Sequence, residues 1–297
     1  MGNILTGTCS WTDKTLIDSG WYGPDANSAE SRLVKYASRF PLVEVDSTYY
    51  SMPSEKTAEL WAERTPLSFT FDVKAFRLLT GHPAEPKSLP KHLREALPPE
   101  IDKPKLYLKD LPSQLVDQLW SDFRQSLMPL HSAGKLGVVL FQFPPWFLPG
   151  RESKDFLASI GNRLPEYTNA IEFRHGSWLN EKNADRTLEF LRDHGLMYAS
   201  VDEPQGTRQS VPPVAAATGD VAVVRFHGRR VETWDKSNVG VLERFRYLYE
   251  DDELEEWVPK IRELASQTKE VHALMNNCYS DFAVRNAAQL QSLLSDA

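Results

Sequence analysis

Seven apolar runs that end in polar or charged residues constrain the fold of this chain more than any other feature. Apolar residues alternate within the runs, as in Val43 and Val45 or Val224 and Phe226. A β-strand directs residues i and i+2 to the same face, so each run has one apolar face and one face that ends in polar groups. The runs end at Glu44 and Asp46, Asp72 and Lys74, Gln142, Glu172 and Arg174, Ser200 and Asp202, Arg225 and His227, and Asn276. This arrangement is typical of a parallel barrel with a site at its C-terminal mouth.

Strands and helices alternate along most of the 297 residues. The predicted strands cover residues 4–9, 42–46, 68–74, 136–142, 169–174, 196–202, 221–227 and 271–276. The predicted helices cover about 28–40, 54–65, 114–131, 153–163, 184–193, 253–267 and 281–294. Right-handed crossovers favour a closed TIM-type (β/α)8 barrel in a single domain, 1–297, over an open doubly wound sheet, which is the alternative.

Two segments depart from a regular barrel. Residues 83–112 contain seven prolines and are too long for a usual loop between a strand and a helix, so we predict an ordered or semi-ordered insertion after the third strand. Residues 203–220 show no helical period, so the sixth helix is predicted to be missing. Pro259 either bends the predicted helix at 253–267 or marks a late start.

Composition favours a soluble cytoplasmic protein. With 41% hydrophobic and 25% charged residues, the chain can bury a large core, and its net charge of −7 argues against broad binding to nucleic acid or anionic membranes. A local basic pocket is still compatible with this charge. There is no signal-like N-terminal region and no apolar stretch of about 18 residues. The two cysteines, Cys9 and Cys278, have no Cys-x-x-Cys spacing, so we expect reduced thiols that lie close together in a closed barrel.

The polar strand ends would collect many charges in the barrel interior. The strand pattern directs Glu44, Asp46, Asp72, Glu172 and Asp202 inward with Lys74, Arg174 and Arg225. An unpaired buried ion costs several kcal/mol, so these groups must be paired, solvated or neutralised by a ligand. One interpretation is a structural set of ion pairs, and the other is a functional site in which Asp46 and Asp72 have supporting roles.

Three cations make an anion the preferred ligand. Lys74, Arg174 and Arg225 suit carboxylate or phosphate. The loop after the seventh strand reads His227-Gly-Arg-Arg, and the eighth strand continues through Asn276 and Asn277 towards a helix. In barrels this region often binds phosphate. The candidate substrate-binding residues are Lys74, Gln142, Arg174, His175, Arg225, Asn276, Asn277, Tyr49 and Trp178.

Glu44, Glu172, His227 and Asp202 are the candidates for proton transfer. No cofactor is predicted. A divalent metal is an alternative, but no His-x-His or His-Glu-x-x-His pattern occurs, and neighbouring cations would repel a metal. Aromatic residues follow several predicted strands. They either pack the loops or form a stacking wall for a sugar or base.

Several of these segments resemble the YecE-like family, a domain of unknown function found in bacteria and archaea. The matching segments are Gly7–Trp11, Val43–Tyr50, Phe71–Ala75, Leu140–Pro145, Ile171–Trp178, Val224–Gly228 and Met275–Asn277. The resemblance extends in order over nearly the whole chain and implies a TIM-type barrel. Asp46 departs from the family, in which asparagine is frequent at this position. The resemblance implies no particular reaction.

Together these observations favour an enzyme that acts on a small phosphorylated or carboxylated compound at the barrel mouth by general acid/base chemistry. Hydrolase, lyase and isomerase reactions all remain open. One alternative is a non-catalytic protein that binds a metabolite or single-stranded nucleic acid. A second is a phosphoesterase that uses a divalent metal. No membrane partner is expected.

Overall fold

Eight parallel strands close into a barrel in the order of the sequence. A computed structural model describes residues 1–207, 210–236 and 238–295. The strands are β1 (Asn3–Thr8), β2 (Leu42–Val45), β3 (Thr70–Lys74), β4 (Leu136–Gln142), β5 (Thr168–Glu172), β6 (Met197–Asp202), β7 (Val221–Phe226) and β8 (Glu270–Met275). Because β8 pairs with β1, the sheet has no open edge. The predicted (β/α)8 barrel is confirmed.

Helices surround the barrel. They are α1 (Lys14–Asp18), α2 (Ala29–Ala37), α3 (Glu55–Glu63), α4 (Lys91–Glu95), α5 (Ser113–Ser132), α6 (Arg151–Arg163), α7 (Ala184–Asp193), α8 (Val231–Trp234), α9 (Val241–Arg244), α10 (Asp251–Glu255), α11 (Val258–Gln267) and α12 (Phe282–Ser295). Pro259 lies in the first turn of α11, so the single helix predicted at 253–267 is two helices. The sequence pattern missed α1, α4, α8 and α9, which are too short to show a period. Within the described ranges, no helix is long and apolar enough to cross a membrane.

The two irregular segments lie where the sequence places them. The insertion after β3 is ordered: it contains α4, its ends are joined by an antiparallel bridge between Ala84 and Leu106, and Leu89 and Leu93 are buried. No helix occurs between β6 and β7 in the described residues, 203–207 and 210–220.

The alternation of residues along the strands separates two cores. Outward-facing residues such as Phe71 and Phe141 pack against the helices in one large cluster. Inside the barrel, Leu140, Ala170 and Val223 belong to a smaller apolar cluster. The polar ends of the strands lie beyond this inner cluster, towards the C-terminal mouth.

A buried ion pair crosses the interior nearer the N-terminal ends of the strands. Nδ1 of His272 lies 3.0 Å from each carboxylate oxygen of Asp72, and both side chains are completely buried. A Cβ atom at Gly137 would lie 2.3 Å from Asp72 Oδ1, so only glycine leaves room for the pair. Burial alone would lower the pKa of His272, but Asp72 and the hydrogen bond to Glu270 outweigh it and raise the pKa to about 9.

This ion pair predicts a loss of stability at alkaline pH. The folded pKa of His272 is about 9, above the ordinary value of 6.5. The contribution is therefore complete below pH 6.5 and disappears as the pH rises through 9; it amounts to at most about 3 kcal/mol. Urea denaturation from pH 6.5 to 9.5 should show this loss in the wild type and a much flatter dependence in His272→Gln. Parallel curves for the two proteins would contradict the prediction.

Candidate functional site

Arg225 on β7 lies at the centre of a buried network of charges. Its Nε and Nη2 atoms donate to the carboxylate oxygens of Glu44 on β2, at 2.9 and 2.6 Å. Its Nη1 atom donates to Glu172 on β5, and all three side chains are completely buried. A single guanidinium thus serves two carboxylates. Burial raises the pKa of Glu44 to about 7, although the charges of Arg225 and Lys74 oppose this shift.

Glu172 also accepts hydrogen bonds through its second oxygen. Its Oε1 atom lies 2.7 Å from Gln142 Nε2 and 3.1 Å from His227 Nε2. Arg174 Nη1 is 3.4 Å from the same oxygen. Burial alone would raise the pKa of Glu172, but the charges of Arg225 and Arg174 and the hydrogen bond from His227 hold it well below the usual range. Glu172 is therefore an ionised group whose oxygens are both occupied by donors.

His227 connects this network to the mouth of the barrel. Its Nδ1 atom lies 2.8 Å from Asn276 Nδ2, while Nε2 faces Glu172. An amide donor at Nδ1 and a carboxylate acceptor at Nε2 fit a neutral ring with its proton on Nε2. Burial lowers the pKa of His227 to about 4, which agrees with a neutral ring at pH 7.

A cavity of about 270 Å³ lies directly above the network, at the C-terminal mouth. Three cations line it: Lys74 from β3, Arg174 after β5, and Arg244 from α9. Two carboxylates, Asp13 and Asp46, lie on the same walls. The cavity is thus a polar pocket in which cations outnumber acids.

The cations are held in place by aromatic rings and by neighbouring oxygens. Arg174 lies over the Trp234 ring, 4.5 Å from its centroid. Lys74 lies 4.9 Å from the centroid of Tyr49 and donates to Asp46 Oδ1 at 2.6 Å. Such contacts fix the charged groups without removing their charge.

The hydrogen-bond donors of Arg244 are less completely paired than those of the other two cations. Its Nη2 atom donates to the Lys236 carbonyl at 2.8 Å, but its buried Nε atom has no hydrogen-bond partner among the described residues. Burial and the neighbouring charge of Arg174 lower the pKa of Arg244. Two guanidinium groups that repel each other across a cavity would both be stabilised by an anion between them.

The pKa of His82 is lowered by burial and by the same positive charges. This ring lines the cavity and packs edge-on against Tyr49 at 5.3 Å. Burial, followed by the charges of Lys74, Arg77 and Arg174, lowers the pKa of His82 to about 3. The ring is therefore neutral, and it contributes no charge of its own to the pocket.

Asp13 is an acid on the cavity wall with a pKa near neutral pH. It precedes α1 in the loop after β1. Burial and the charge of Asp46 raise the pKa of Asp13 to about 6, against the opposing hydrogen bonds of Cys278 and Ser10. Cys278 and Cys9 also line the cavity, both as free thiols.

Nine of the thirteen residues proposed from the sequence lie at or directly behind this cavity. Those on its wall are Tyr49, Lys74, Gln142, Arg174 and Asn276. Those in the buried network behind it are Glu44, Glu172, Arg225 and His227. Arg225 was expected to bind substrate, but it is completely buried and its guanidinium donors face two carboxylates and Cys9.

Asp202 does not face the interior, and this part of the strand pattern is wrong. Its carboxylate accepts hydrogen bonds from Tyr249 Oη at 2.6 Å, Trp257 Nε1 at 2.7 Å and Arg229 Nη2 at 2.8 Å. These partners belong to the outer layer. The physical reason is that the odd-numbered residues of β6 point inward, as the inner cluster around Ala199 shows.

Glu203 takes the inward place that the sequence pattern assigned to Asp202. Its Oε1 atom accepts from the Val211 backbone at 2.7 Å, while Oε2 lies 3.6 Å from Arg174 Nη1. Oε2 is buried and has no hydrogen-bond partner among the described residues. Burial raises the pKa of Glu203 to about 7, whereas the pKa of Glu172 is well below its usual range. Arg174 therefore lies between two carboxyl groups of different pKa.

Three further candidates hold loops around the mouth. His175 accepts from the Ser177 backbone through Nδ1 at 3.2 Å. Trp178 is completely buried and stacks on Phe173 at 4.3 Å. Asn277 donates from Nδ2 to the Tyr247 carbonyl at 2.8 Å. These contacts favour a structural contribution to the loops of the site.

The sequence pattern missed the cavity residues that come from loops and short helices: Asp13, His82, Trp234, Arg244 and Phe245. Of these, Asp13 gave only a weak signal, which is its position a few residues after the predicted strand at 4–9. Across the described residues, no group of three or more His, Cys, Asp or Glu side chains is placed to hold a metal ion.

Comparisons with known proteins agree with the barrel. The family model described as "Protein of unknown function DUF72" matches residues 5–297. The UPF0759 protein YunF of Bacillus subtilis (strain 168) is 32% identical over 295 residues, which cover 98% of this chain and 94% of that protein. The crystal structure of a DUF72 family protein from Enterococcus faecalis is 25% identical, with a TM-score of 0.79 over 99% of this chain and 96% of that one. Another, from Thermotoga maritima, is 29% identical, with a TM-score of 0.77 over 99% and 100%. This chain therefore belongs to the DUF72 family, the YecE-like family that its sequence motifs indicate.

Proposed function

We propose that the chain is an enzyme that binds a small phosphorylated or carboxylated compound in the mouth cavity and catalyses proton transfer between this compound and an acidic side chain. The observation that carries this proposal is the convergence of Lys74, Arg174 and Arg244 on one cavity that also contains Asp13. An anion would be held by the cations. The acid on the cavity wall would then exchange a proton with the bound compound.

The charges support an anionic ligand. Arginine presents several donors in one plane, which matches the oxygens of carboxylate and phosphate. Arg244 has a buried Nε atom without a partner among the described residues, so a ligand oxygen would satisfy a donor that is now unused. The cavity volume of about 270 Å³ is at the lower end of ligand pockets, which favours a small compound.

Asp13 is the group best suited to accept the proton. With a pKa of about 6 it is mostly ionised at pH 7, yet it is a stronger base than an ordinary aspartate. The charge of Asp46 raises the pKa of Lys74 against the effect of burial, so Lys74 stays protonated and can stabilise negative charge that develops on the substrate. Glu172 and His227 would act by positioning Gln142 and Asn276 on the cavity floor.

Binding of small anions tests this proposal. Thermal-shift and calorimetric titrations would compare inorganic phosphate, sugar phosphates and small carboxylates with neutral sugars and short oligonucleotides. A ligand at 100 times its Kd adds about 2.7 kcal/mol of stability, which is readily detected. We expect a small anion to bind, and Arg244→Gln to weaken it about tenfold or more, since a hydrogen bond to a charged group contributes about 1.5–3 kcal/mol.

Arg151→Gln is the matched control, because the side chain of Arg151 on α6 is 94% exposed and does not line the cavity. This variant should bind the anion as the wild type does. Equal affinity in Arg244→Gln and the wild type would contradict the proposed site. A response to oligonucleotides alone, with steep salt dependence, would instead favour a nucleic-acid-binding protein.

A further inference from the structure

A second hollow, of about 880 Å³, lies beside the mouth cavity. One wall comes from the insertion after β3, through Tyr107 and Leu111, and the other from Trp120 on α5, Trp146 after β4 and Phe156 on α6. We call this hollow the apolar groove because most of its lining is apolar, although Lys109, Glu152 and Arg163 also line it. Trp146 is 60% exposed, whereas tryptophan side chains are highly buried on average.

The groove and the mouth cavity share a wall. Phe143 lines both, and its neighbours divide between them: Gln142 and Pro145 face the cavity, while Pro144 and Trp146 face the groove. The two hollows are therefore adjacent, and a ligand that occupies both has to pass the ring of Phe143.

Uncharged aromatic rings lie at the boundary between the two hollows. His82 lines the cavity and packs edge-on against Trp146 in the groove, with 5.8 Å between ring centroids. Tyr49 lies on the other side of His82, at 5.3 Å. The polarity therefore changes along this path from cationic, at Lys74, to apolar, at Trp146.

We propose that the apolar groove binds the hydrocarbon or aromatic tail of the same compound whose anionic head binds in the mouth cavity. This inference rests on the proposed function and narrows its substrate class to elongated, amphipathic anions. Phosphate or carboxylate alone would occupy the cavity and leave the groove empty. An attached tail would remove the exposed ring of Trp146 from water.

A series of n-alkyl phosphates tests the inference. Methyl, butyl and hexyl phosphate have the same head and differ only in tail length. Each buried methylene can strengthen binding by up to about fourfold, so Kd should fall steadily from methyl to hexyl phosphate. Trp146→Ala should flatten this dependence on tail length, and Trp146→Phe should restore most of it. Arg244→Gln should weaken all three ligands by a similar factor and leave the dependence on tail length intact.

The outcomes distinguish the groove from the head-binding site. Equal affinity for all three phosphates would contradict the proposed role of the groove but not the proposed anion site. Binding of hexanol as tightly as hexyl phosphate would overturn the claim of one shared ligand. Absence of binding by these phosphates and by every carboxylate of the anion screen would overturn both proposals. A dimer that Trp146→Ala dissociates in sedimentation, without any effect of tail length, would show that the groove holds a second copy of the chain instead.

Discussion

Replacing Arg225 with methionine is expected to lower the free energy of unfolding by about 3–5 kcal/mol, because it leaves buried carboxylates without their cation. Glu44 and Glu172 are both completely buried, and Arg225 donates to each of them. Both carboxylates are shielded from bulk water, which therefore cannot readily replace the lost donors. Equilibrium denaturation in urea would measure the change directly.

Two further variants keep this prediction testable if Arg225→Met does not fold. Adding Glu44→Gln and Glu172→Gln removes the buried charges, so the triple variant should recover part of the lost stability. Arg285→Met is the matched control, since Arg285 is 56% exposed and 4.0 Å from Asp281. Its effect should be below about 1 kcal/mol. Equal effects at Arg225 and Arg285 would contradict a central role for the buried network.

Replacing Asp13 with asparagine is expected to reduce kcat by about 100-fold to 10,000-fold on a compound identified by the anion screen, which is the usual range for a general base. Asparagine keeps the shape of the side chain but cannot accept the proton. Binding of the substrate should change much less, because the cations remain. Steady-state kinetics would separate the two effects.

The dependence of the rate on pH provides the second readout for Asp13. Its pKa is about 6, so kcat/KM of the wild type should fall as the pH drops below 6 and the base becomes protonated. The residual activity of Asp13→Asn should lack this limb. Asp18→Asn is the control, since Asp18 lies in α1 with its side chain 58% exposed. A fully active Asp13→Asn variant would remove Asp13 from the mechanism.

Strand alternation is the part of this molecule that the sequence predicts well. The side chains of Glu44, Lys74, Glu172 and Arg225 enter the interior at the strand ends, because residues of one parity share a face and the other parity is apolar. The barrel follows from eight such strands separated by helices. β4 and α7 have the bounds that the sequence predicts.

The sequence pattern fails where strand geometry no longer constrains the chain. At the end of β6, Asp202 and the next residue, Glu203, are both acidic, and the small inward residue Ala199 gives no strong apolar alternation to choose between them. Arg244 and His82 reach the cavity from segments well beyond the ends of β7 and β3, so no periodic pattern indicates their direction. Loop residues of this kind are positioned by tertiary packing.

Anomalous diffraction from a crystal soaked in tungstate, a heavy analogue of phosphate, tests the central claim most directly. We predict one strong peak in the mouth cavity, within hydrogen-bonding distance of Lys74, Arg174 and Arg244, and its loss in crystals of Arg244→Gln. An empty cavity in crystals that hold tungstate elsewhere would contradict an anion site at the barrel mouth.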